Sequence, residues 1–100
     1  MNDLPIACTL TSAELQERRQ TVLQKIRGAV VEARELQDGY AYCFASENQQ
    51  LAEIASMIEL ERQCCPFLRF SLTIEPNGGP IWLELTGPDG TKEFLKENFG

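Results

Sequence analysis

Apolar residues along this chain keep two rhythms, one of helical spacing and one of strict alternation, and they trade places twice. Leu15, Val22, Leu23 and Ile26 form a helical stripe behind Thr11-Ser12-Ala13-Glu14. That tetrad reads as a capping box, with Thr11 as N-cap and Glu14 reaching back, and Gly28 supplies a stop. The pattern predicts a helix from Ser12 to Arg27. Alternation then runs from Val31 to Leu36 and again from Ala41 to Ala45, across Gln37-Asp38-Gly39-Tyr40. Asp-Gly between alternating segments favours a two-residue hairpin turn of the primed type. With Gln37 facing Tyr40, Val31 and Ala33 share a face with Tyr42 and Phe44, and Cys43 shares the opposite face with Glu32 and Arg34.

The second half repeats the order. Ser46-Glu47-Asn48-Gln49 is another capping box and predicts a helix to about Gln63. Its expected buried stripe is Leu51, Ile54, Ala55 and Ile58, continued by Cys65, with Cys64 on the stripe's edge near Met57. Pro66 ends the helix. Leu68, Phe70, Leu72 and Ile74 then alternate inward against Arg69, Ser71, Thr73 and Glu75, and Ile81, Leu83 and Leu85 resume the pattern beyond the Pro76–Pro80 loop. A short helix carrying Phe94 and Leu95 closes the chain. The order α-β-β-α-β-β-α predicts an α+β fold, with helices on one face of a four-stranded, mainly antiparallel sheet. The repeated helix-plus-hairpin unit points to internal pseudo-symmetry. No linker divides the 100 residues, which read as a single domain, 1–100.

Composition narrows the function classes. An apolar share of 43% and a charged share of 24% are those of an ordinary soluble globular protein, able to build a core without staples. The net charge of −6 argues against nucleic acid as a partner and against an anionic membrane surface. No apolar run reaches the roughly 20 residues that span a bilayer. Met1-Asn2-Asp3-Leu4-Pro5 lacks the features of a secretory signal, so the expectation is a cytoplasmic protein whose four cysteines are reduced. With no histidine in the chain, imidazole metal sites and histidine-based catalysis are excluded.

Chemistry concentrates at Glu61-Arg62-Gln63-Cys64-Cys65-Pro66-Phe67. Glu61 precedes the two thiols by three and four positions, on the same side of the helix. A helix C-terminus carries partial negative potential, which raises thiol pKa and disfavours a fast redox nucleophile. Metal binding suffers less, because a soft cation itself drives deprotonation. Zn(II), Cu(I), Hg(II) and As(III) all accept sulfur, although the paired Cys-x-x-Cys spacing of structural zinc is missing. The candidate ligands are Cys64, Cys65 and Glu61, with Cys8 as a third thiol folding back. Cys43 points to the other sheet face. Two alternatives stay open: buried cysteines as small core residues, and thiol redox chemistry.

Other charges read as solvated. Arg18 and Arg19, with Glu14 and Glu17, look like an exposed helix face, and Arg62 could offset the helix-end potential. A second candidate surface is the outer sheet face, where Trp82 projects with Arg69, Thr73, Glu84 and Cys43. An exposed indole there would serve binding or homodimer formation, in a non-catalytic interaction module.

The motif Glu61-Arg62 with Cys64-Cys65-Pro66-Phe67, then Phe70, resembles that of a family of small, mostly uncharacterised bacterial proteins. Asp38-Gly39-Tyr40, Leu85-Thr86-Gly87-Pro88, Gly90 and Lys92 extend the resemblance over nearly the whole chain. It implies an association with heavy-metal resistance and carries Glu61, Cys64 and Cys65 as the site positions. Cys8 and Cys43 fall outside the pattern.

Overall fold

The computed structural model describes residues 12–47 and 49–99, with Phe99 described by its backbone alone. Seven elements follow the expected order: α1 (Ala13–Ala29), β1 (Val30–Glu35), β2 (Gly39–Phe44), α2 (Gln50–Cys64), β3 (Arg69–Ile74), β4 (Ile81–Thr86) and α3 (Thr91–Phe99). All strand pairs are antiparallel, in the spatial order β1-β2-β4-β3. This order maps onto itself when the two α-β-β halves are exchanged, so β2 and β4 form the central seam. No helix among the described residues is long and apolar enough to cross a membrane.

Local chemistry sets the element ends. The N-cap of α1 is Ser12, whose hydroxyl accepts from the Leu15 N–H at 3.3 Å, and the helix runs past Gly28 to Ala29. Thr11, the expected N-cap, lies outside the described residues. The first hairpin closes with the Leu36 N–H donating to the Gly39 carbonyl at 2.8 Å, and Glu35 stands opposite Tyr40. Gln37 and Asp38 therefore form the turn, one residue earlier than expected. Ala33 still shares a face with Tyr42 and Glu32 with Cys43, but Val31 does not join them: Val30 stands opposite Phe44, the register shifts between Val30 and Glu32, and Val31 is 65% exposed. Gly39 is required by close approach: a Cβ there would lie 1.8 Å from the Leu85 carbonyl oxygen.

Helix α2 starts later than the Ser46 capping box predicts. Gln49, in the left-handed region at φ 60°, is its N-cap and makes no side-chain capping bond. The Gln50 N–H instead donates to Glu47, closing a tight turn before the helix begins. Its buried face is also rotated from the expected one. Ile54, Met57, Leu60, Glu61 and Cys64 are buried, while Leu51 and Ala55 are exposed.

The core lies between the inner sheet face and the helix layer. Leu23 and Ile26 of α1, Ile54 and Met57 of α2, and Leu95 of α3 pack with Phe44, Ile81, Leu83 and Leu85 of the central strands. Each such side chain contributes about 1.5–3 kcal/mol by leaving water. The helices cover the seam better than the edges. Leu72 and Ile74 of β3, expected to face inward, remain 39% and 53% exposed.

Candidate metal centre

The end of α2 turns sharply because Pro66 forbids another helical residue. Cys65 is the C-cap, at φ −123° and ψ 73°, outside the helical region that a following proline disfavours. Its N–H still donates to the Glu61 carbonyl at 2.6 Å, and the Leu68 N–H donates to the Cys65 carbonyl at 3.1 Å. Phe67 is buried edge-on against Phe94 of α3, with ring centroids 5.2 Å apart, and so pins the turn to the last helix. The backbone bend swings Cys65 back toward Glu61.

Three ligand-bearing groups converge there. A carboxylate oxygen of Glu61 and the sulfurs of Cys64 and Cys65 all lie within 4.8 Å of one another. All three residues are 0% exposed. The structure thus unites Glu61, Cys64 and Cys65 as the motif predicts, and it does so inside the protein. Cys8 lies outside the described residues. Cys43 is buried on the opposite sheet face, across from Trp82 and Glu32.

The cation of the site is Arg19, which the sequence reading placed on a solvated face. It is 4% exposed. Its Nε donates to Glu61 Oε1 at 2.7 Å and its Nη2 to Oε2 at 3.4 Å, while Nη1 donates to Asn98 Oδ1 at 3.2 Å. A buried charge persists only when paired and hydrogen-bonded, and here each partner satisfies the other. Arg62 plays no part, since it pairs with Glu59 at the surface at 3.1 Å. Arg19 also lines a depression of about 390 Å³ with Ala13, Gln16, Glu17 and Gln20 of α1.

The Cys65 thiol donates to Glu61 Oε2 at 3.2 Å. Burial first, then the charge and hydrogen bonding of Glu61, push its pKa well above the ordinary thiol range, against a smaller opposing effect of Arg19. At neutral pH Cys65 is therefore a protonated thiol, unsuited to rapid nucleophilic attack. Cys64 is disulfide-bonded, whereas Cys43 and Cys65 are free. The expectation of uniformly reduced cysteines fails at Cys64.

Trp82 and Arg69 both lie on the outer sheet face, as the alternation predicts, but they do not form one patch. Trp82 pairs with Thr73 and Arg69 with Thr86, four residues apart along the strand, or about 13 Å. Trp82 is half-buried beneath Arg34, whose guanidinium carbon lies 4.5 Å from the ring centroid.

Compared with protein-family models, curated proteins and solved structures, the chain matches none. The case for a function rests on the geometry itself.

Proposed function

We propose that the chain binds a soft metal or metalloid ion through Cys64, Cys65 and Glu61. The observation that carries this reading is the convergence of two sulfurs and a carboxylate within 4.8 Å at a backbone turn. Sulfur donors select soft ions, and ion binding supplies the energy that strips the proton from Cys65. The Glu-Arg-x-Cys-Cys-Pro-Phe resemblance, with its heavy-metal association, supports the same reading.

The binding-competent form is the reduced one. In its disulfide, Cys64 has no thiolate to offer. A dithiol reductant supplies two electrons and two protons: the S–S bond breaks, both sulfurs leave as thiols, and the reductant closes its own disulfide. This requirement favours a reducing compartment such as the cytoplasm.

Native mass spectrometry of the reduced chain after exposure to Hg(II), Zn(II), Cu(I) and As(III) tests the proposal. One retained ion is expected, lost in a Cys64→Ser/Cys65→Ser double variant and kept in Cys43→Ser. Full uptake by the double variant would place the ion elsewhere and end this reading.

A further inference from the structure

We propose that the cavity between the last turn of α1, helix α3 and the inner face of β1 and β2 binds a small, flat aromatic monocarboxylate. None of its lining residues belongs to the Glu61–Cys64–Cys65 cluster. Arg27, on its rim, lies about 12 Å along α1 from Arg19, so the site is independent of the metal reading. Its volume of about 670 Å³ is that of a small-molecule site.

The floor is aromatic. Tyr40 and Tyr42 stand two residues apart on one face of β2, with ring centroids 6.3 Å apart and planes inclined by 32°. Small residues border them. Ala33, opposite Tyr42 on β1, is exposed, and a Cβ at Gly28 would meet nothing within 4 Å. Strand β1 is exposed almost throughout, so the helix layer stops short of this edge. A flat ring fits beside the tyrosines, because aromatic pairs favour offset and edge contacts over bulkier apolar shapes.

Charge selects the head group. Arg27 and Lys96 line the same cavity, and both are exposed. Among the described residues neither has a carboxylate within ion-pair distance, and Glu35, whose field reaches Lys96, is held by Lys92. Each cation sits in the last turn of its helix, where the backbone carries about half a negative charge. Two such ends offset about one of the two positive charges, which leaves about one for a ligand. Tyr42 subtracts nothing, since burial pushes its pKa up to about 12 and keeps it protonated. One carboxylate on an aromatic body meets both the floor and the rim.

Titration of the full chain with naphthalene carboxylate and with the matching neutral amide, followed by amide NMR, tests the proposal. Both should bind and shift Gly28, Ala33 and Tyr40. The carboxylate should bind more tightly by on the order of fivefold, as an exposed ion pair allows. High salt should erase that preference. Arg27→Gln/Lys96→Gln, at two exposed positions, should bring the ratio to about one and leave the amide's affinity unchanged. Ala33→Leu, which sets a larger side chain beside Tyr42, should abolish the binding of both probes. No binding of either probe, equal affinity for the two, or full binding by Ala33→Leu would overturn the proposal. So would a dimer, seen by sedimentation, that closes over the cavity and is dispersed by Ala33→Leu.

Discussion

Arg19 Nε lies 2.7 Å from Glu61 Oε1, so helices α1 and α2 meet through a fully enclosed ion pair between residues 42 positions apart. Removing one partner strands the other charge away from water. Arg19→Met should therefore lower unfolding free energy by about 3–5 kcal/mol, whereas Arg19→Met/Glu61→Leu should fall within about 1 kcal/mol of the unaltered protein. Urea unfolding of the four chains closes the cycle. A single variant as stable as the parent would contradict the enclosed pair.

Stability should decline on the alkaline side. The folded protein holds the Cys65 proton to a pH above the ordinary thiol range, through burial and Glu61. An unfolded chain releases it near pH 8.5, so between that point and the raised folded pKa the unfolded state binds fewer protons and is favoured. The contribution is complete below about pH 8.5 and shrinks as pH rises. Tyr42, pushed up to about 12 by burial and then by Tyr40, adds a second decline starting near pH 10. In Cys65→Ala the first decline should vanish and the second persist, as read by thermal unfolding from pH 7 to 11.

Ion uptake should follow the oxidation state of Cys64. Oxidised protein is expected to retain no Hg(II) at the site, and phosphine-reduced protein to retain one ion with a thiolate-to-metal charge-transfer band in the ultraviolet. Equal retention by both forms would remove Cys64 from the ligand set.

Alkylation offers a separate check on the thiols. Cys65 in the native reduced chain should react with iodoacetamide at least about tenfold more slowly than free cysteine at pH 8, because it is both enclosed and protonated. Faster modification than free cysteine would revive a nucleophilic role.

On the outer sheet face, Arg34 covers Trp82 at cation–π distance. Arg34→Ala should cost about 0.5–1 kcal/mol and shift indole emission to longer wavelength as water reaches the ring. Trp82 is the one tryptophan in the chain, so the spectrum reports this contact directly.

The alternation of Ile81, Leu83 and Leu85 and the breaks at Asp38-Gly39 and Pro66 make the sheet and its hairpins readable in the sequence. The location of Glu61, Cys64 and Cys65 is equally legible, because position i−3 and i−4 on a helix fixes them on one side. Arg19 escapes a reading that equates charge with solvent. Its position carried the contrary signal: it lies four residues before Leu23 and seven before Ile26, squarely on the buried stripe of α1. Glu61 holds the matching place on α2, four after Met57 and seven after Ile54. Opposite charges on the inward stripes of two helices identify a pair that no single helix reveals. The expected α2 stripe counts apolar residues alone and so runs toward Leu51 and Ala55, whereas the buried one includes Glu61. The late start of α2 was hidden because a left-handed Gln49 competes with the Ser46 box through backbone turns alone.

The sheet order β1-β2-β4-β3 divides the molecule into two interlocking α-β-β pieces, with Arg19 on one and Glu61 on the other. A cut in the connection between β2 and α2 would leave peptides that each own half of a salt bridge and one bank of the central seam. Their reassociation would require charge neutralisation and strand alignment together, so a mismatched partner from another protein would meet an orphaned ion where the true complement supplies its counterpart.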